Sequence, residues 1–76
     1  MVKDKVLSII NEVIHKNPKK LSHNLYILNA DSFDLTDIVL RLENTFNISF
    51  TDEECFQIRY WSINKIIENI EKKIND

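Results

Sequence analysis

The chain contains no glycine, a single proline and a single cysteine. Without glycine there is no bare backbone loop to cradle a nucleotide's phosphates, so the P-loop and dinucleotide-binding classes are excluded. Turns that need positive φ then fall to Asn and Asp, which tolerate the left-handed region, and a mostly helical chain is expected. The lone thiol, Cys55, closes no internal disulfide, and with only His15 and His23 beside it in composition no zinc set forms; no metal is expected. Long hydrophobic runs are missing as well. The apolar stretches are short and broken by charge, so no membrane insertion is expected, and Met1-Val2-Lys3-Asp4-Lys5 lacks the apolar core of a secretory signal. A cytoplasmic location follows as an expectation. Seventy-six residues give one domain over 1–76 with one modest core, too small for a separate catalytic lobe.

The net charge of −2 conceals a division along the chain. Residues 1–20 carry Lys3, Lys5, Lys16, Lys19 and Lys20 against Asp4 and Glu12. Residues 31–54 carry Asp31, Asp34, Asp37, Glu43, Asp52, Glu53 and Glu54 against Arg41 alone. The acidic middle favours basic partners and repels nucleic acid, and the N-terminal lysines are too dispersed for a nucleic-acid tail.

Periodicity supplies the elements. Val2, Val6, Ile9, Ile10 and Val13 recur at helical intervals, which predicts a helix over about 2–16 stopped by Asn17-Pro18. Residues 17–31 form a long connection whose Leu21, Leu25, Tyr26, Ile27 and Leu28 are too apolar for a free linker and are expected to pack over the helices. Leu35, Ile38, Val39, Leu42 and Phe46 predict a second helix over about 32–46. Thr51 with Glu54 predicts a capping box opening a short third helix over about 52–58. Ile63, Ile66, Ile67, Ile70 and Ile74 predict a last helix over about 62–74. The fold class is therefore all-α: a small four-helix bundle with three longer helices, one short third helix and a long first loop. Cys55 is expected as a small buried apolar group, and Tyr60 and Trp61 as cover for the end of the bundle, with an exposed contact as the alternative.

One position stands apart from packing. Ser32 lies just behind Asp31 at the mouth of the second helix, near the surface and close to unsatisfied backbone N–H groups that suit an anion. Asp31 and Ser32 are both good caps, so the pair alone has a purely structural explanation. No His or Lys stands at a motif-like position to activate Ser32, so no catalytic residue is assigned and the chain is not read as an enzyme.

Asn29-Ala30-Asp31-Ser32-Phe33-Asp34, followed by the apolar stripe and the second acidic cap, resembles the acyl carrier protein family over about Asn29 to Ile70. The resemblance implies that a magnesium-dependent phosphopantetheinyl transferase places 4′-phosphopantetheine from coenzyme A on Ser32, with Asp31 beside it, and that the arm's thiol carries acyl groups as thioesters. It also implies docking through the second helix. Phe33, Asp37, Leu40 and Asn44 face away from the apolar stripe, and Asp31, Asp34, Asp37 and Glu43 would meet basic patches on loading, synthase and acyltransferase enzymes. Fatty-acid carriers shelter chains between their helices, which the aliphatic residues here could line or simply fill. A monomer is expected.

The chain departs from that pattern in places. Asn29 stands where glycine is usual, Phe33 replaces an aliphatic residue, Arg41 interrupts the acidic helix, and Asn44 and Thr45 stand where fatty-acid members often carry acids. Two subclasses therefore stay open: fatty-acid synthesis, or a dedicated polyketide, amino-acid or cell-envelope pathway. The alternative from another class is a non-enzymatic helical interaction or regulatory protein that binds a basic partner through the acidic second helix, with Ser32 only a cap.

Overall fold

The computed structural model describes residues 1–75 and, among them, contains helices and no strand. Helix α1 spans Val2–Ile14, α2 Ser32–Phe46, α3 Asp52–Gln57 and α4 Ile63–Asn75, with one 3₁₀ turn at Ile58–Tyr60 joining the last two. Helix α1 lies against both α2 and α4. The predicted apolar stripes meet in one cluster: Val6, Ile9 and Ile10 from α1, Leu35, Ile38, Val39 and Leu42 from α2, and Ile63, Ile66, Ile67 and Ile70 from α4. Ile74 extends the stripe in sequence but is exposed, because α4 outruns the core at its end.

Helix α1 stops earlier than its proline predicts. His15 takes the left-handed conformation (φ 58°) and its N–H donates to Asn11 O at 2.8 Å, closing the helix ahead of Asn17-Pro18. In a chain without glycine the described left-handed residues are His15, Asn29 and Asn47. Two of the three are the asparagines that steric reasoning favours, and each ends a segment: Asn47 caps α2, and Asn29 turns the connection toward it.

That connection is packed, as its composition predicts, but its side chains divide. Leu25 is fully buried and Leu21 and Leu28 lean on the core, whereas Tyr26 and Ile27 are exposed. Its backbone is tied to the start of α4. Ile63 N–H donates to His23 O at 2.8 Å, Asn64 N–H to Leu21 O at 2.9 Å, and Tyr26 N–H to Arg59 O at 3.1 Å. The loop thereby satisfies donors that a helix N-terminus otherwise leaves unmatched.

Helix α3 corrects one expectation. It contributes no buried residue, and Cys55 is exposed rather than a core group. Six residues make too few turns to bury a stripe, and the core position is taken by Ile58 in the following 3₁₀ turn. Trp61 is buried with Lys65 Nζ 5.0 Å from its ring centroid, while Tyr60 is exposed and meets Tyr26 in a tilted ring pair with centroids 5.6 Å apart. Of the two aromatics expected to cover the bundle's end, only Trp61 does so.

Candidate functional site

The candidate site is the first turn of α2. Asp31 is the N-cap, in extended conformation, and its Oδ1 accepts Asp34 N–H at 2.8 Å while Asp34 Oδ2 accepts Asp31 N–H at 3.1 Å. This reciprocal box forms because an acidic residue stands three positions after another at the end of a non-helical segment. Ser32 therefore occupies the first helical position and does no capping. It is exposed, and among the described residues its hydroxyl makes no hydrogen bond; only its carbonyl is engaged, by Thr36 Oγ1 at 2.9 Å. A serine fully explained as a cap would hold a backbone N–H.

The surroundings suit a tethered phosphodiester. Both carboxylates of the box are tied to backbone donors, and the dipole of a 15-residue helix favours negative charge at this end by about 0.3–1 kcal/mol per anion. An exposed hydroxyl at that end leaves room for a long arm to extend into solvent. Phe33, next in sequence, is 86 % exposed.

The other predicted docking residues are placed unequally. Leu40 is 54 % exposed on the same side of α2 as Thr36, one turn further on. Asp37 is held by Arg41, whose Nε lies 2.7 Å from Asp37 Oδ1 and whose Nη1 lies 3.0 Å from Glu12 Oε2 on α1. The hydrogen bond that Arg41 donates to Asp37 leads in pushing the guanidinium still further above its usual range. Glu43 Oε2 accepts Phe50 N–H at 2.8 Å and so fastens the segment after α2.

Between α2 and the start of α3 runs a groove of about 360 Å³. Leu35, Val39 and Phe50 give it an apolar side, with Glu43 and Asp52 among its polar lining. Cys55 also lines it. Partial burial leads in pushing its thiol up, and the carboxylates of Glu43, Asp52 and Glu54 add to that, so the group stays a neutral thiol at pH 7. Phe56, 82 % exposed on α3, went unnoticed in the sequence, since an apolar residue in so short a helix has no periodicity to mark its face.

Behind the groove, Glu54 completes the second capping box with Thr51 and also receives Lys73 Nζ at 2.9 Å and Asn69 Nδ2 at 3.1 Å from α4. Partial burial alone would raise its carboxyl; the hydrogen bonds from Thr51, Lys73 and Asn69 outweigh it and hold the pKa at about 2. Asn69 Oδ1 is buried without a partner among the described residues.

The chain is similar to known proteins over most of its length. A family model described as "Phosphopantetheine attachment site" matches residues 4–70. The chain is 34 % identical over 61 residues to an acyl carrier protein of Chlamydia caviae, covering 76 % of this chain and 79 % of that one. It is 29 % identical over 76 residues to an acyl carrier protein of Buchnera aphidicola subsp. Baizongia pistaciae, covering 96 % and 95 %. It is 33 % identical over 58 residues to an acyl carrier protein of Wolinella succinogenes, covering 72 % and 76 %. No solved structure matches the chain.

Proposed function

This chain belongs to the acyl carrier protein family, and on that premise we propose that Ser32 is the attachment point of its 4′-phosphopantetheine. The observation that carries the reading is a free, exposed hydroxyl at the first position of α2, beside a capping box completed without it. When bound, the group supplies a terminal thiol that holds acyl intermediates as thioesters. The protein's own residues do the rest. Asp31 and Asp34 fix the backbone of the first turn, so Ser32 is held at the surface with its hydroxyl open to a phosphopantetheinyl transferase. Phe33 and Leu40 offer apolar contact beside the attachment point, and Asp31 and Asp34 offer charge to basic surfaces around partner active sites.

The chain works as one carrier unit at the service of partner enzymes in the cytoplasm. Its pathway is fatty-acid synthesis or a dedicated polyketide, amino-acid or cell-envelope route, and Arg41, Asn44 and Thr45 favour the dedicated one, because they thin the acidic surface of α2. The groove lined by Leu35, Val39 and Phe50 is the place where a short acyl chain would be shielded from water.

The test is the intact mass of the protein after incubation with coenzyme A, magnesium and a broad-specificity transferase. One added phosphopantetheine on the parent and none on Ser32→Ala, with unchanged helical circular dichroism, is the expected result. Loading of Ser32→Ala would end the attachment proposal.

A further inference from the structure

The carboxylates of the acidic middle do not all face a partner on equal terms. Asp37 shares Arg41 with Glu12, and Glu43 is spent on the backbone of Phe50. Glu54 is held by Lys73 and Asn69. Within residues 31–54 the exposed acids without a cationic partner among the described residues are Asp31 at the start of α2 and Asp52 and Glu53 at the start of α3. Of the half-buried acids with none, Asp34 stands beside Asp31 at the exposed mouth of α2, whereas Glu43 lies in the groove with Oε2 bonded to Phe50 N–H. The guanidinium between these two ends is 44 % exposed, so it also presents positive charge to any basic surface approaching α2.

We infer that Arg41 determines partner specificity: by clamping Asp37 to Glu12 it takes the middle of α2 out of charge-based docking and leaves two anionic ends, Asp31 with Asp34 and Asp52 with Glu53. The inference rests on the carrier reading and deepens it. The fitting partner is an enzyme whose basic side chains are spaced to meet both ends, with an apolar or uncharged stretch opposite Leu40 and Arg41. An enzyme that reaches for a continuous acidic helix meets a cation instead. Such repulsion discriminates between partners as effectively as a new attraction does. The clamp is suited to this role because an exposed ion pair contributes little to stability, so Arg41 can change without loss of the fold.

Transferase kinetics provide the test, with KM and kcat for loading measured at low and high salt on the parent, Asp37→Asn, Arg41→Ala and the double variant. Arg41→Ala is expected to lower KM about threefold or more at low salt, with kcat little changed and the gain lost at high salt, where exposed charges are screened. Asp37→Asn is expected to cost more in the Arg41→Ala background than in the parent, since the carboxylate becomes available only there. Asp52→Asn with Glu53→Gln is expected to raise KM in the parent. Equal costs of Asp37→Asn in both backgrounds, or a KM and salt dependence unmoved by Arg41→Ala, would overturn the inference while leaving loading of Ser32 intact. Failure of every form, parent included, to load would overturn the attachment reading and this inference with it. Melting temperatures of all variants verify that each is folded.

Discussion

At Asn29 a side-chain-bearing residue holds φ 63°, a conformation that costs most L-residues about 1–2 kcal/mol and asparagine less. Asn29→Ala is accordingly expected to lower unfolding free energy by about 1 kcal/mol in urea melts, and Asn29→Gly to leave it nearly unchanged. Equal loss in both would mean that the side chain, and not the backbone angle, is what matters there. This turn was legible in the sequence, since a glycine-free chain leaves positive φ to Asn and Asp and Asn29 stands where the family usually has glycine. His15 was not, because nothing in its type announces a left-handed cap. Ser32 was legible as a position near a helix mouth, but its freedom from capping was not. Both Asp31 and Ser32 are competent caps, and only the geometry assigns the work to Asp31.

Helices α2 and α3 each begin in a reciprocal box, Asp31 with Asp34 and Thr51 with Glu54. Asp31→Ala is expected to destabilise the protein by about 1 kcal/mol through loss of the bond to Asp34 N–H, measured by thermal melting. The second box adds a pH dependence. The Glu54 carboxyl is depressed from 4.5 to about 2 in the folded state, so its stabilisation is fully present above pH 4.5 and is lost as pH falls through 2. With its side chain 19 % exposed, the contribution is on the order of 1–3 kcal/mol. Glu54→Gln retains an acceptor for Thr51 N–H but loses the charge that Lys73 meets, so its stability should vary less between pH 5 and pH 2 than the parent's. Parallel profiles would remove Glu54 from the account of acid stability. The Thr51-to-Glu54 box was legible from four residues in a row, whereas Lys73 and Asn69 joining it was not, for they arrive from α4 only once the bundle has packed.

For the whole molecule, the bundle was visible in three apolar stripes, and what escaped notice is how the first loop joins them. Leu25 fills the core, and the carbonyls of Leu21 and His23 receive the first N–H groups of α4, contacts between segments far apart in sequence that no local pattern encodes. Leu25→Ala is expected to cost about 2–5 kcal/mol, read from urea midpoints, while loading per folded molecule stays unchanged, because the loop serves the fold and not the serine. A loading rate that fell in proportion among fully folded molecules would tie the loop to the site. The central claim concerns a single oxygen among five serines, Ser8, Ser22, Ser32, Ser49 and Ser62, with Cys55 as a thiol that any oxidised, disulfide form of coenzyme A could also cap by thiol–disulfide exchange. The most direct measurement is fragmentation mass spectrometry of the protein loaded by a transferase and then fully reduced, which removes any disulfide and leaves a phosphodiester in place. The account predicts phosphopantetheine on the peptide bearing Ser32 and nowhere else. The group on another serine, or its complete loss on reduction, would contradict it.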